Sequence, residues 1–269
     1  MNFLVLLLVV LILRFTPWRS GFPLDLVNGW SKALSPRCQQ WHPGLALAAL
    51  LSPLLVLWVL DHLVAGLAYG LLTLLLHVVL LLLCVGRSDP LGSLFDQLRQ
   101  ALLRNDHQAA SLLAERDLGL TTEGPEELRA ALQGRMVWET AHGYFVPLFW
   151  YLLLGPLGAL GYRLLQRGQG FSWPAADWSA RLCHALEWLP VRMLGLSFAL
   201  VGRFEQALGA LRDYLANWDQ AASLVSTRIA LAALGPPDTS GAVALDQARR
   251  LLLRALLIWV VVWALISLA

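Results

Sequence analysis

Glu187 and Arg192 stand five positions apart inside a stretch, Leu182–Val201, that is otherwise largely apolar. An ionised side chain at the centre of a bilayer costs about 2.5–3.5 kcal/mol on insertion scales, so each needs a compensating group. Five residues of helix put the two about 140° apart, which makes a direct pair awkward unless Pro190 bends the backbone between them. Arg192 then has three kinds of partner open to it: another acid, an anionic ligand, or carbonyls freed by a helix break. The alternative is that both side chains snorkel to headgroups from a segment lying on the surface.

A second cation, Arg163, closes the run from Phe149 and follows Tyr162 directly. Within that run Gly155, Gly158 and Gly161 recur every third residue, a face that lets another helix approach closely. No strand precedes them and no phosphate-loop lysine follows, so a packing face capped by an interfacial Tyr and Arg accounts for them as well as a nucleotide would. Glu139 and His142 have i,i+3 spacing, suited either to a ligand or to capping a helix that enters the membrane. His107, His142 and His184 are scattered, and Cys38, Cys84 and Cys183 show no CxxC or Cys/His ligand pattern. No catalytic group, metal site or cofactor is therefore assigned. Two cations beside helix breaks in apolar surroundings predict a polar pocket that binds an anionic small molecule through Arg163 and Arg192, with Glu187, Trp188 and Tyr162 beside them.

The elements that must carry these groups are membrane helices. The chain is 58% hydrophobic and 14% charged, against about 45–50% and about 25% for an average soluble domain. Its apolar residues fall in six blocks: Asn2–Leu13, Pro43–Leu60, Leu63–Val85, Gly143–Leu165, Leu182–Val201 and Leu251–Ala269. The longer ones match a hydrocarbon core of about 30 Å as helices. The first lacks a basic flank and a small-x-small cleavage site, so it reads as a retained helix. Asp61-His62 divides the second from the third and predicts a hairpin with its polar tip at the surface; His77 then lies inside the third helix as a satisfied packing residue.

Residues 86–142 and 203–250 are the polar segments. In the first, Leu91, Phe95, Leu98 and Leu102 recur at helical spacing, Asn105-Asp106 reads as a turn with an N-cap, and Gly124-Pro125-Glu126-Glu127 starts a further helix. In the second, Phe204, Leu208, Leu211 and Leu215 share a face, Pro236-Pro237 breaks the chain, and Ser240 caps the last helix. The fold class is thus all-α, a polytopic membrane bundle of four to six embedded segments with cytoplasmic amphipathic helices. If all six blocks span, 16 of the 20 basic residues lie on one side with both long polar segments, which makes that side cytoplasmic. Gly155-Pro156 and Pro190 interrupt the fourth and fifth blocks, which leaves a re-entrant alternative open for both. A net charge of +2 argues against nucleic acid as a partner.

Pro147-Leu148-Phe149-Trp150, Gly155-Pro156-Leu157-Gly158-Ala159-Leu160, Tyr162-Arg163 and Glu187-Trp188-Leu189-Pro190-Val191-Arg192 resemble the AmpE/CobD (CbiB) superfamily of inner-membrane proteins. Arg104-Asn105-Asp106-His107 and Gly202–Leu208 extend the resemblance, which is closer to AmpE and adds Arg104 and Asp106 to the candidate ligand-binding residues. CobD-type members are adenosylcobinamide-phosphate synthases. Their Glu-Asn-Thr-x-x-Asp-Gly stretch is replaced here by Trp138-Glu139-Thr140-Ala141-His142-Gly143, and their Asn-Thr-Leu-Asp by Leu164-Leu165-Gln166-Arg167. An acid usual near the end of their first helix is replaced by Leu13. The resemblance implies instead a Gram-negative inner-membrane sensor or modulator tied to β-lactamase induction and peptidoglycan recycling. Beyond the lipid bilayer, a second copy or a cytosolic protein held by the amphipathic helices are the partners it leaves open.

Overall fold

The computed structural model describes residues 2–15, 26–65, 67–85, 93–122, 124–235 and 241–268. Every regular element among them is helical: α1 (Asn2–Phe15), α2 (Leu26–Leu34), α3 (Pro43–Val64), α4 (Leu71–Cys84), α5 (Ser93–Leu103), α6 (His107–Leu118), α7 (Pro125–Thr140), α8 (Val146–Leu154), α9 (Pro156–Gly168), α10 (Ala176–Val201), α11 (Phe204–Leu215), α12 (Ala222–Leu234) and α13 (Gly241–Leu268), with a 3-10 turn at Leu67–Gly70 and a π turn at Ala141–Phe145. They form two compact units: residues 1–87 with 143–187, and residues 88–142 with 188–269. The expected break at Pro236-Pro237, the cap at Ser240, and Leu13 and Leu91 lie outside the described residues or side chains.

In the first unit, α9 lies against α2, α3, α4 and α8, and α1 lies against α4. Its core holds Val5, Val9, Leu50, Leu57, Leu81 and Leu164. α3 is 22 residues long and is, among the described residues, the helix long and apolar enough to cross a membrane; only 17% of its most apolar stretch is buried, where a core helix of a soluble protein would be mostly covered. Its bare side presents Leu55, Val56, Val59 and Leu63. Of the other blocks, α1 and α4 have 14 residues each, about 21 Å of rise, the fourth is divided between α8 and α9, and the continuous α10 carries Asp177, Arg181, Glu187 and Arg192 within its 26 residues.

Two expectations for this unit are corrected. The hairpin tip is not Asp61-His62: α3 runs on to Val64 and the turn follows it, because Asp61 is held by a hydrogen bond to His77 and His62 Nδ1 to the carbonyl of Trp58. Nor do the three glycines share a role. Gly155 adopts φ +66°, the left-handed turn between α8 and α9; Gly158 packs so closely on the Trp150 carbonyl of α8 that a Cβ would clash with it; and Gly161 faces Leu54 of α3.

The second unit packs α7 between α12 and α13, with α5 on α13 and α6 on α5. Leu98, Leu132, Leu194, Phe198, Ile229 and Leu252 fill it. Asp106 caps α6 by accepting from the Ala109 amide at 2.9 Å, and Pro125 occupies the first turn of α7 after Gly124. The first half of α13 is buried at Ala244, Ala248 and Leu252, whereas its second half exposes Leu257, Val260, Val261 and Leu265.

Candidate functional site

α10 carries most of the unusual polar groups, and it does not break. Pro190 sits inside a continuous helix from Ala176 to Val201. A proline leaves the carbonyl four residues earlier without its donor. That carbonyl is Leu186 O, and the indole Nε1–H of Trp150 donates to it at 2.9 Å. The bend expected at Pro190 is therefore not needed to satisfy the backbone. α3 solves the same problem at Pro53, where the Ser52 hydroxyl donates to Ala49 O at 2.8 Å.

Within the first unit, Tyr162 is fully buried and its hydroxyl donates to Glu187 Oε1 at 2.9 Å; the Cys183 thiol approaches the same oxygen at 3.5 Å. Arg163 is 2% exposed and donates to Gln166 Oε1. Glu187 is thus held by a phenol and a thiol from α9 and from its own helix.

Arg192 belongs to the second unit, where it is 5% exposed. Its Nε donates to Leu215 O at 3.2 Å, Nη1 to Trp188 O at 2.9 Å, and Nη2 to both Tyr214 O and Asn217 O at 2.7 Å. Its guanidinium also lies 4.0 Å from the Trp188 ring centre, and Trp188 meets Trp218 at 6.0 Å between ring centres. Of the three kinds of partner open to it from the sequence, carbonyls are the ones it meets. Three of them, at Tyr214, Leu215 and Asn217, are acceptors at and just after the end of α11, which has no αL glycine to close it, so Arg192 ends that helix from a neighbouring one.

Glu139 at the end of α7 and His142 in the π turn after it come together in a short ladder. Arg135 pairs with Glu139 at 2.7 Å, Glu139 lies 3.6 Å from His142, and the imidazole stacks on Trp138. The ladder runs into the π turn at Ala141–Phe145, a local widening that often marks functional positions. Asp106 serves as the N-cap of α6, and Arg104 is exposed at the end of α5.

His77, which the sequence placed inside the third helix as a satisfied packing residue, has both ring nitrogens bonded. His77 on α4 takes Tyr151 OH on α8 at Nδ1 and Asp61 on α3 at Nε2, both at 3.1 Å. Asp61 is the only acid between positions 26 and 88. An imidazole and a carboxylate on the two arms of one helical hairpin, each near the turn, were the available signal.

Along residues 1–269 the chain matches the family described as regulatory signalling modulator protein AmpE. The chain belongs to the AmpE family. It is 26% identical over 219 residues to Protein AmpE of Shigella flexneri, covering 74% of this chain and 75% of that one. It is also similar to two cobalamin biosynthesis proteins CobD, at 29% over 187 residues in Stutzerimonas stutzeri and 30% over 190 residues in Chromobacterium violaceum. Those matches cover 64% of this chain but only 57% and 56% of the relatives, so the chain spans little more than half the length of the CobD proteins. No solved structure matches it.

The AmpE resemblance and the bonding coincide. Trp150, Tyr162, Glu187 and Arg192, all within the motifs that carried the resemblance, make long-range bonds: the first three fix α8 and α9 on α10 within the first unit, and Arg192 holds the end of α11 within the second. Their first service is to fix helices whose apolar surfaces alone would leave the register loose.

Proposed function

We propose that the chain is an integral inner-membrane protein of Gram-negative bacteria that modulates signalling in β-lactamase induction and peptidoglycan recycling, without chemistry of its own. The observation that carries this is the match to AmpE along the whole chain. The bare apolar sides of α3 and of the second half of α13 support the bilayer as its solvent. The two long polar segments face the cytoplasm in this reading, by the excess of Lys and Arg they hold. Two measurements test it. The chain should stay in the membrane pellet after carbonate extraction, and deleting it in a Gram-negative strain with an inducible β-lactamase should change enzyme output after β-lactam challenge. A carbonate-soluble chain refutes the first half, and unchanged induction the second.

The similarity to the CobD proteins favours a second reading, a synthase that joins aminopropanol phosphate to a corrinoid. Glu139, in the stretch that replaces the synthase pattern, is already engaged by Arg135 and His142. The purified chain should form no adenosylcobinamide phosphate from those substrates; turnover would reverse the preference. Anion binding at Arg163, and independently at Arg192, is a separable proposal, read at the first by loss of ligand-induced thermal stabilisation in Arg163→Gln.

A further inference from the structure

The hydrogen-bond rules at Asp61, His77 and Tyr151 leave little freedom. An ionised carboxylate only accepts, so Nε2 of a neutral His77 must carry the hydrogen and donate it to Asp61; Nδ1 is then bare and accepts from Tyr151. The chain of donation runs one way, from phenol to imidazole to carboxylate. Exposure falls along it, from 34% for the Asp61 side chain to 10% for His77 and none for Tyr151. The relay has one open end, beside the turn after Val64, and one closed end in the core of the first unit.

We propose that these three residues form a site that takes up a single proton from the side of the membrane on which the turn between α3 and α4 lies, and that uptake alters the hold of α4 on α8. Before uptake the cluster carries one negative charge. Afterwards the imidazolium and Asp61 form a pair with no net charge, which suits apolar surroundings. The added hydrogen goes to Nδ1, where Tyr151 used to donate. Tyr151 must turn its hydroxyl round and accept instead, so its own hydrogen loses its partner. Next to it in α8 is Trp150, which supports Leu186 O before Pro190; a change at Tyr151 thus reaches α10 through one peptide unit.

The ionisable groups on the elements around α4 leave this assignment intact. α3 brings Asp61 and His62, the latter bonded to Trp58 O; the turn brings Tyr69, fully exposed; α9 brings Tyr162, Arg163 and Arg167, of which Tyr162 is bonded to Glu187 and Arg163 to Gln166. The polar contacts of His77 itself are Asp61 and Tyr151. The proposal rests on the reading of this unit as membrane-embedded and not on any role in β-lactamase induction.

The test uses the full chain in lipid nanodiscs with 15N-labelled histidine, followed from pH 9 to pH 4.5. The His77 signal is assigned by its loss in His77→Gln, whose amide keeps both bonds without titrating, or in His77→Asn if that variant folds poorly. The expected result is a neutral ring protonated at Nε2 at high pH that gains Nδ1–H on acidification. Alkylation of a cysteine placed at Leu154 on α8 should change rate over the same range, and Tyr151→Phe should abolish that change while leaving proton uptake. A His77 ring that stays neutral throughout overturns the site. Proton uptake with an alkylation rate indifferent to Tyr151→Phe overturns the coupling. Failure of the membrane reading shows separately, as a chain that enters the soluble fraction.

Discussion

Replacing Arg192 by leucine removes four hydrogen bonds of 2.7–3.2 Å, three to carbonyls at and after the end of α11 and one to Trp188 O of its own helix, and one guanidinium-to-indole contact. Bonds from a charged donor contribute about 1.5–3 kcal/mol each, so four would exceed 6 kcal/mol if nothing replaced them. Two effects reduce that. The buried guanidinium no longer has to be kept from water, and Leu215 and Trp218 are exposed, so solvent reaches some of the abandoned carbonyls. The net loss should be about 2–4 kcal/mol. For a chain of this size each kcal/mol moves the unfolding midpoint by ~2–4 °C, which predicts a fall of roughly 4–16 °C. Arg192→Lys keeps the charge but not the fork that reaches three carbonyls, and should fall between. The assay is thermal unfolding in detergent micelles, with limited proteolysis between α11 and α12 as a local readout. A midpoint within about 1 °C of the parent, with cleavage unchanged, would refute the helix-ending role and return Arg192 to the anion proposal.

Three further outcomes follow from the same bonding. Trp150→Phe should lose about 1–2 kcal/mol by orphaning Leu186 O, and Pro190→Ala should recover part of it by restoring a backbone donor; a double-mutant cycle without coupling would exclude the link. Gly195→Leu should cost about 1–3 kcal/mol, because a Cβ there meets Ile229 Cδ1 at 2.8 Å, whereas Gly209→Ala, with nothing within 4 Å, should stabilise α11 by about 0.5–1 kcal/mol; equal midpoints for the two would contradict the packing. Asp106→Ala should cost about 1 kcal/mol through the lost cap and show first as faster amide exchange at Ala109.

What the sequence made legible was local. Asp106 as a cap, Gly124-Pro125 as a helix start and Gly155-Pro156 as an interruption each follow from the conformations those residues allow, and each is where the structure has it. The errors came where a distant residue overrode a local rule. Pro190 reads as a break until an indole from position 150 is known to fill the vacant acceptor. Asp61-His62 reads as a surface tip until His77 is seen to hold the carboxylate. Arg192 reads as a cation with an acid, an anion or carbonyls open to it, and nothing within its own helix shows that α11 ends against it. In all three the deciding partner lies at least 16 residues away, beyond the reach of propensity or periodicity.

The pattern has a physical reason that favours the membrane reading. In water an orphaned carbonyl or a lone imidazole can turn to solvent, and evolution has little cause to bring an indole across 36 residues for one acceptor. Within lipid no solvent partner exists, and each unpaired group costs several kcal/mol. α3 and α10 both contain a proline, and in both the vacated carbonyl has a side-chain donor at 2.8–2.9 Å. Apolar faces such as that of α3 set depth but not rotation or register, since one leucine against lipid is as good as the next. The bonds at Leu186, Glu187, His77 and Arg192 supply what those faces cannot: a single rotation and height for each helix that bears them.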